Sequence, residues 1–525
     1  MKFIITPRDK NILKNEKNTS YLKIDHWNDY SFVTMFHLYV HDENGKFHDI
    51  GNIKIGFEGQ GVETPTYKKL EKSFSKLPSN FFSIGLDVDF YKNISKLDMV
   101  TRTNILQSLN DMAMTSDLID KFKDEDVFRV SFLRDSSITS IRGQYSRVLS
   151  GKPELTDFNF SFERDEIDGL YPIRLNFKVK ASSTPSTNIH AIIGRNGCGK
   201  TTILNGMIDA ITQADNSKCR FVDHDFFEEP IDSNYFSSLI SVSFSAFDPF
   251  TPPQEQSDPS KGTCYFYVGL KSQDLSGGHR TLLELRADFI KALVDCFRKA
   301  KTKDLWFDAI KSLSSDENFS SMKLTDLFEI YSRLKNKINI QGQVDSTLFR
   351  KLLLQKTTPY LSQLSSGHAI VLFTITKLIS TIEEKTLILL DEPEGHLHPP
   401  LLSAFIRTLS ELLFEQNGVA IIATHSPVVL QEIPMTCVWK INRVSNVINP
   451  YRLDIETFGE NVGVLTREVF GLEVVTSGYH SLLSKSVASG KTYNEILSSY
   501  NSELGMEARA VLKSLIINRD KEQEL

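Results

Sequence analysis

Gly194-Arg195-Asn196-Gly197-Cys198-Gly199-Lys200-Thr201 is the stretch from which the fold of this chain is read. It fits G-x-x-x-x-G-K-[ST] at every position. An apolar run, Ile189-His190-Ala191-Ile192-Ile193, leads into it, and Thr202-Ile203-Leu204-Asn205-Gly206-Met207-Ile208 opens a helix after it. Strand, glycine loop and helix in that order form a phosphate cradle. The glycines let successive backbone N–H groups turn toward phosphate oxygens. The helix N-terminus adds partial positive charge. Residues 194–202 are therefore the expected nucleotide contacts, with Lys200 on the terminal phosphates and the Thr201 hydroxyl on Mg2+. The fold class that follows is α/β.

A phosphate site needs an acid to position the metal, and Thr386-Leu387-Ile388-Leu389-Leu390-Asp391-Glu392 supplies it. A buried parallel strand is apolar throughout, so its terminal carboxylates emerge at the sheet edge where ligands bind. Asp391 is the expected metal-side acid, and Glu392 the base that orients or deprotonates water. A further apolar strand, Val419-Ala420-Ile421-Ile422-Ala423-Thr424, ends in His425, placed to meet a terminal phosphate.

These three elements resemble the ABC-type ATPases. The resemblance implies an ABC-ATPase P-loop fold: a mixed β-sheet core with flanking helices, an antiparallel β subdomain and a helical lobe. It implies ATP and Mg2+ as ligands, and a signature loop shortly before the acidic strand end. Two strings compete. Leu275-Ser276-Gly277-Gly278-His279-Arg280 is the better match in letters, but it stands 115 residues before Asp391. Leu364-Ser365-Ser366-Gly367-His368 stands 26 residues before Asp391 and opens an apolar helix. The loop acts as a helix N-terminus, so the second is preferred. In the family Ser365, Ser366 and Gly367 would complete the ATP site of a second copy, giving a homodimer with composite sites.

The stretch Asp391-Glu392-Pro393-Glu394-Gly395-His396-Leu397-His398-Pro399 resembles OLD-type and related prokaryotic ATPases, with His398 where transporter subunits carry an aspartate, and the compact 163-residue gap from Thr201 to Leu364 resembles OLD-like and RecF-like proteins. No DxD acid pair follows His425, so the OLD nuclease is not expected. The remaining likeness is to PtuA-type ATPases of Septu and retron anti-phage systems. That likeness implies an HNH-type nuclease partner and, in retrons, a reverse transcriptase with its single-stranded DNA. Direct DNA contact, as in RecF-like repair, and a non-hydrolysing ATP-sensing scaffold are the rival readings. One departure bears on the second rival. The family's glutamine is missing from the end of the expected strand Leu239-Ile240-Ser241-Val242-Ser243-Phe244-Ser245-Ala246-Phe247-Asp248, leaving Ser245, Asp248 or Gln254 as substitutes.

The rest of the chain sets bounds. Its 525 residues, 24% of them charged, allow two to four domains and a large core. No apolar run reaches the roughly 18–20 residues of a membrane span. Five scattered cysteines without a CxxC pair argue for a reducing cytoplasm rather than zinc or disulfides. Residues 1–154 are expected as a β-rich extension, 155–450 as the ATPase core with a helical lobe about 281–370, and 451–525 as a helical tail. A hairpin is expected around Asp42–Gly45, and a strand over Val127–Arg134. The net charge of −6 hides a basic stretch, with 14 Lys+Arg against 10 Asp+Glu over 281–360. Its densest run, Arg298–Lys303, is read as a solvated helix end. Asp87 and Asp89 are read as structural acids, and the phenylalanines of 156–163 as core.

Overall fold

The computed structural model describes the chain apart from residues 11, 13–15, 27–31, 135–137, 139–140, 152–154, 167–170, 214–217, 225–227, 233–234, 246–249, 259–261, 273–277, 339–346, 472–477 and 525. Asp248 and Leu275–Gly277 therefore lie outside the described residues, as do Trp27 and Pro153. The chain forms two compact units. One comprises Met1–Asp157 with Lys180–Ser186; the other comprises Phe158–Val179 and Thr187–Leu525.

The first unit is built on a six-stranded sheet of β1 (Lys2–Thr6), β2 (Thr19–Ile24), β3 (Met35–His41), β4 (Phe47–Phe57), β5 (Ser73–Phe74) and β6 (Phe81–Gly85), in the order β5-β1-β2-β3-β4-β6. The β3–β4 hairpin turns where expected: Asp42 accepts the backbone N–H groups of Asn44 and Lys46 at 2.9 Å each. Asp87 caps the helix Val88–Ser95 by accepting from Phe90 N, and Asp89 pairs with Lys92 at 3.0 Å, so both acids are structural.

The expected strand over Val127–Arg134 is instead helical, an α-turn at Asp126–Val130 followed by a 3-10 turn at Phe132–Arg134. Val127, Phe128, Ser131 and Phe132 are buried while Arg129 and Val130 are exposed. That i, i+1, i+4, i+5 spacing is one face of a helix. The aromatic and β-branched composition suggested a strand, and packing against the sheet overrode it.

In the second unit β7 (Phe158–Arg164), β8 (Ile173–Val179), β10 (Cys219–Asp223) and β11 (Glu229–Pro230) form an antiparallel sheet in the order β11-β10-β7-β8. Phe158, Phe160 and Phe162 are buried from it against the phosphate-loop helix, Lys200–Thr212. Each such side chain contributes about 1.5–3 kcal/mol of burial.

The main sheet holds β9 (Ile189–Gly194), β12 (Ser238–Ser243), β13 (Cys264–Gly269), β14 (Thr386–Asp391), β15 (Val419–Thr424), β16 (Val438–Val444) and β17 (Val447–Tyr451). Their order is β13-β12-β14-β15-β9-β16-β17, parallel except for β17. The three central strands β9, β14 and β15 are buried along their whole length. This explains their unbroken apolar runs, since helices cover both faces.

Helices Leu282–Arg298, Ala300–Leu313, Asp326–Ile338, Thr347–Leu361 and Ser366–Thr381 form the helical layer between β13 and β14. The basic run 298–303 lies where the first of these ends and the second begins. Arg298 pairs with Asp295 at 3.4 Å, and Lys303 lies over the Phe328 ring. The segment beyond β17 carries helices Val462–Phe470, Gly478–Ala488, Tyr493–Ser499 and Met506–Glu524. No helix among the described residues is long and apolar enough to cross a membrane.

Candidate functional site

Parallel register brings three strand ends to one edge. Asp391 stands opposite Ala423, and Thr424 opposite Ile193, so the residues after β9, β14 and β15 share that edge. After β9 the chain turns through Gly197 and Gly199, at φ +78° and +100°. The Gly199 backbone lies in the left-handed region that side chains resist. Helix Lys200–Thr212 starts immediately after it.

Within the loop Arg195 and Asn196 are exposed, and so is Thr202 beyond it. The Cys198 side chain is buried in the core. Lys200 is 4% exposed. Its ammonium donates to the carbonyl oxygens of Gly194 and Arg195 at 3.1 Å each and lies 3.6 Å from Glu392 Oε1. The Thr201 hydroxyl donates to the Asp391 carboxylate, at 2.9 Å to Oδ2 and 3.2 Å to Oδ1. Mg2+ is usually held by one or two protein oxygens, with phosphates and water completing the octahedron. Thr201 and Asp391 supply a hard-oxygen pair of that kind and fit the ion.

Glu392 adopts a left-handed backbone, φ 45° and ψ 57°. That conformation costs a non-glycine residue about 1–2 kcal/mol. Its N–H donating to Ala423 O at 2.9 Å holds it in place. Contact with His425, and then the charge of Lys200, hold the Glu392 carboxyl below its ordinary range. In return, contact with Glu392 and the charge of Glu394 raise His425 above its ordinary value. His425 Nδ1 lies 3.7 Å from Glu392 Oε1 and 3.1 Å from Glu394 Oε1. Both are charge contacts lying off the line of a hydrogen bond.

Glu394 was not among the residues picked out from the sequence. Its Oε1 accepts the Thr424 hydroxyl and the His425 backbone N–H, each at 2.6 Å. The spacing Asp391-Glu392-x-Glu394 was the available signal, but a third acid in an acidic turn reads as solvated until β15 is placed beside it.

Ser365 caps helix Ser366–Thr381, its Oγ accepting from His368 N. Gly367 faces the 393–398 segment so closely that a Cβ there would lie 2.4 Å from His396 O. Ser365, Ser366 and Gly367 thus gather at a helix N-terminus against His396.

Gln254 lines a cleft with Ala210, Ile211 and Gln213, at the far end of the 13-residue phosphate-loop helix. A helix of that length spans about 20 Å, so Gln254 does not reach the loop. On the β12 side, the residue opposite Asp391 is Ser243. Its Oγ is buried without a hydrogen-bond partner.

The strand order, the glycine loop and the acid pair at one sheet edge define an α/β P-loop fold of the ABC-ATPase type. The family model "AAA domain, putative AbiEii toxin, Type IV TA system" matches residues 280–431, the stretch from the helical layer through His425. The chain is 54% identical over 522 residues to protein ea59 of Escherichia phage lambda, covering 99% of each, and it belongs to that protein's family. It is also 30% identical over 103 residues to the phosphate import ATP-binding protein PstB of Mycoplasma capricolum, covering 18% of this chain and 35% of that one. Among solved structures it is similar to an ATP-binding cassette of an ABC transporter in its ADP conformation, at 15% identity and TM-score 0.29 over 62% of this chain and 100% of that one. It is likewise similar to cbiO1 of Clostridium perfringens, at 17% identity and TM-score 0.29 over 61% and 95%. Scores that low do not bear on the fold, which rests on the strand order and register.

Proposed function

We propose that this chain is an ATP-binding and ATP-hydrolysing switch. The observation that carries the reading is the convergence of Lys200, Thr201, Asp391, Glu392 and His425 on one sheet edge. In this reading the loop 194–202 cradles the phosphates, while Thr201 and Asp391 hold Mg2+. The metal, when bound, supplies charge neutralisation on the phosphates. Glu392, kept ionised, accepts a proton from the attacking water. His425 touches the terminal phosphate.

Ser365, Ser366 and Gly367 act in trans on the ATP of a second copy, so that ATP closes a homodimer and hydrolysis opens it. The test is a Glu392→Gln chain with ATP and Mg2+, followed by phosphate release and by sedimentation. Bound nucleotide, a dimer and no phosphate are expected. Full turnover by that variant would remove Glu392 from the mechanism.

A second reading has its own observation. Strand β12 ends opposite Asp391 in Ser243 rather than a glutamine, which supports an ATP-sensing scaffold with little turnover. Phosphate release from the unmodified chain separates the two. The further step, in which the dimer gates an HNH-type nuclease in anti-phage defence, rests on the likeness of the Val242–Phe250 and Trp27–Phe57 stretches and of the overall architecture to the PtuA group. The retron partners, reverse transcriptase and single-stranded DNA, rest on the same likeness. Co-purification of an HNH protein supports the gating step. ATPase activity stimulated by bare DNA supports RecF-like action on DNA instead.

A further inference from the structure

A chain of four polar side chains runs behind the proposed signature loop. Ser365 Oγ lies 2.6 Å from His368 Nδ1. His368 Nε2 lies 3.2 Å from Asp316 Oδ1, and His398 Nε2 lies 3.3 Å from Asp316 Oδ2. Asp316 also accepts from Phe319 N at 2.9 Å as the cap of helix Glu317–Ser321. Asp316 and His368 are each 7% exposed, whereas the His398 side chain is 46% exposed. Around the His368 ring stand the Asp316 carboxylate, the Phe319 ring, the His398 imidazole and Ser365. Asp316 and His398 are the ionisable ones among these.

The arrangement fixes where protons sit. The Phe319 N–H and His368 outweigh burial and keep the Asp316 carboxyl below its ordinary range. An ionised carboxylate only accepts, so His368 Nε2 carries its proton toward Asp316. In the neutral ring Nδ1 is then an acceptor, and the Ser365 hydroxyl donates to it. The Ser365 oxygen meanwhile accepts His368 N at 3.3 Å. Ser365 in that state has no proton left for a phosphate oxygen. A second proton, on Nδ1, reverses the bond: the ring donates to Ser365, and the serine O–H is released toward an anion.

We propose that Asp316 and His368 are positioning residues that set the hydrogen-bond polarity of Ser365, so that a nucleotide phosphate docking on this loop takes up one proton at His368. The proposal rests on the reading of 364–368 as a signature loop acting in trans. No covalent step is involved, and the proton comes from solvent.

The test uses the full chain carrying Glu392→Gln, with ATP and Mg2+, and measures the dimerisation constant by sedimentation across pH. With one proton taken up per site, affinity should weaken by about tenfold per site for each pH unit of rise across the range in which that uptake operates. Adding His368→Gln keeps the backbone N–H that Ser365 caps, and it should remove that pH slope. Adding Asp316→Asn should alter that slope, because the carboxylate that fixes the proton on His368 Nε2 is gone. Titration of His425 is common to all these chains and cancels in the comparison. Should His368→Gln fail to fold, Ser365→Ala serves instead: its weakened dimer should show the same flat profile. An unchanged slope in His368→Gln or Ser365→Ala overturns the proposal while leaving the signature reading intact. Absence of any ATP-dependent dimer at every pH overturns the signature reading, and the proposal with it.

Discussion

Glu394 holds His425. Its buried carboxylate accepts the His425 backbone N–H at 2.6 Å and lies 3.1 Å from the ring Nδ1. Glu394→Ala should destabilise the protein by about 1–3 kcal/mol, because the Thr424 hydroxyl and the His425 N–H lose a buried acceptor. Glu394→Gln keeps an acceptor but removes the charge. It should retain most of the stability and lose turnover, with ATP binding unchanged. Thermal melts and phosphate release on the two variants check this.

The Glu392–His425 contact gives a pH window. His425 is raised above its ordinary value of 6.5, so its contribution is full below that value and fades as pH climbs through the raised one. Glu392 is lowered from 4.5, so its contribution is full above that value and fades as pH falls through the lowered one. The pair therefore stabilises most between those two ordinary values. Both groups are partly exposed, and solvent screening keeps the effect within about 1 kcal/mol. The melting-temperature difference between the parent chain and His425→Gln should be largest in that window and shrink in mild alkali.

Lys200→Ala should weaken ATP binding itself, because the buried ammonium proposed to meet the terminal phosphates is lost. Glu392→Gln should lower turnover by about 10²–10⁴-fold with binding retained, the range of a lost general base. Equilibrium nucleotide binding and single-turnover kinetics on the two variants separate the roles. Equal loss of binding in both would contradict the assignment.

His190 lies in the core of β9, fully buried, edge-on to Phe177 and without a hydrogen-bond partner for either ring nitrogen. Burial pushes its imidazole down to about 3 from 6.5. Below that ordinary value the unfolded chain binds a proton that the native state refuses, so stability falls as the solution is acidified. His190→Leu should remove roughly 2 kcal/mol of the loss between neutral pH and about pH 5. Urea unfolding at the two pH values measures it.

Gly367→Ala should distort the proposed signature loop, since the added Cβ meets a backbone carbonyl rather than a movable side chain. A cost of about 1–3 kcal/mol is expected. ATP-dependent dimerisation in the Glu392→Gln background should fall, while nucleotide binding to a single copy should persist.

The phosphate loop, the acidic strand end and the strand before His425 were legible because each is a local pattern. An unbroken apolar run ending in a fixed spacing of glycine, lysine or acid has few other uses. The alternating IRLNFKV was legible for the same reason: β8 is buried at every second residue. Short elements were not. Strands β1, β2, β13 and β16 gave no clear signal, since their buried and exposed residues do not alternate. Val127–Phe132 misled because strand-forming residue types there sit at helical spacing. Gln254 looked available by proximity in sequence, yet it falls at the wrong end of a helix.

Reading residues in order is enough for the geometry of the glycine loop and for which groups stand beside it, because the backbone at Gly199 and the places of Lys200, Thr201, Asp391 and Glu392 follow from nearest neighbours and strand ends. It is not enough for groups joined across the fold. Glu394 meets His425 only because β14 and β15 pair in register, and Asp316 meets His368 across 52 residues through the packing of the helical layer. Such contacts depend on long-range burial, where a charge must find a partner. Nothing in the local run of the chain says which partner that is.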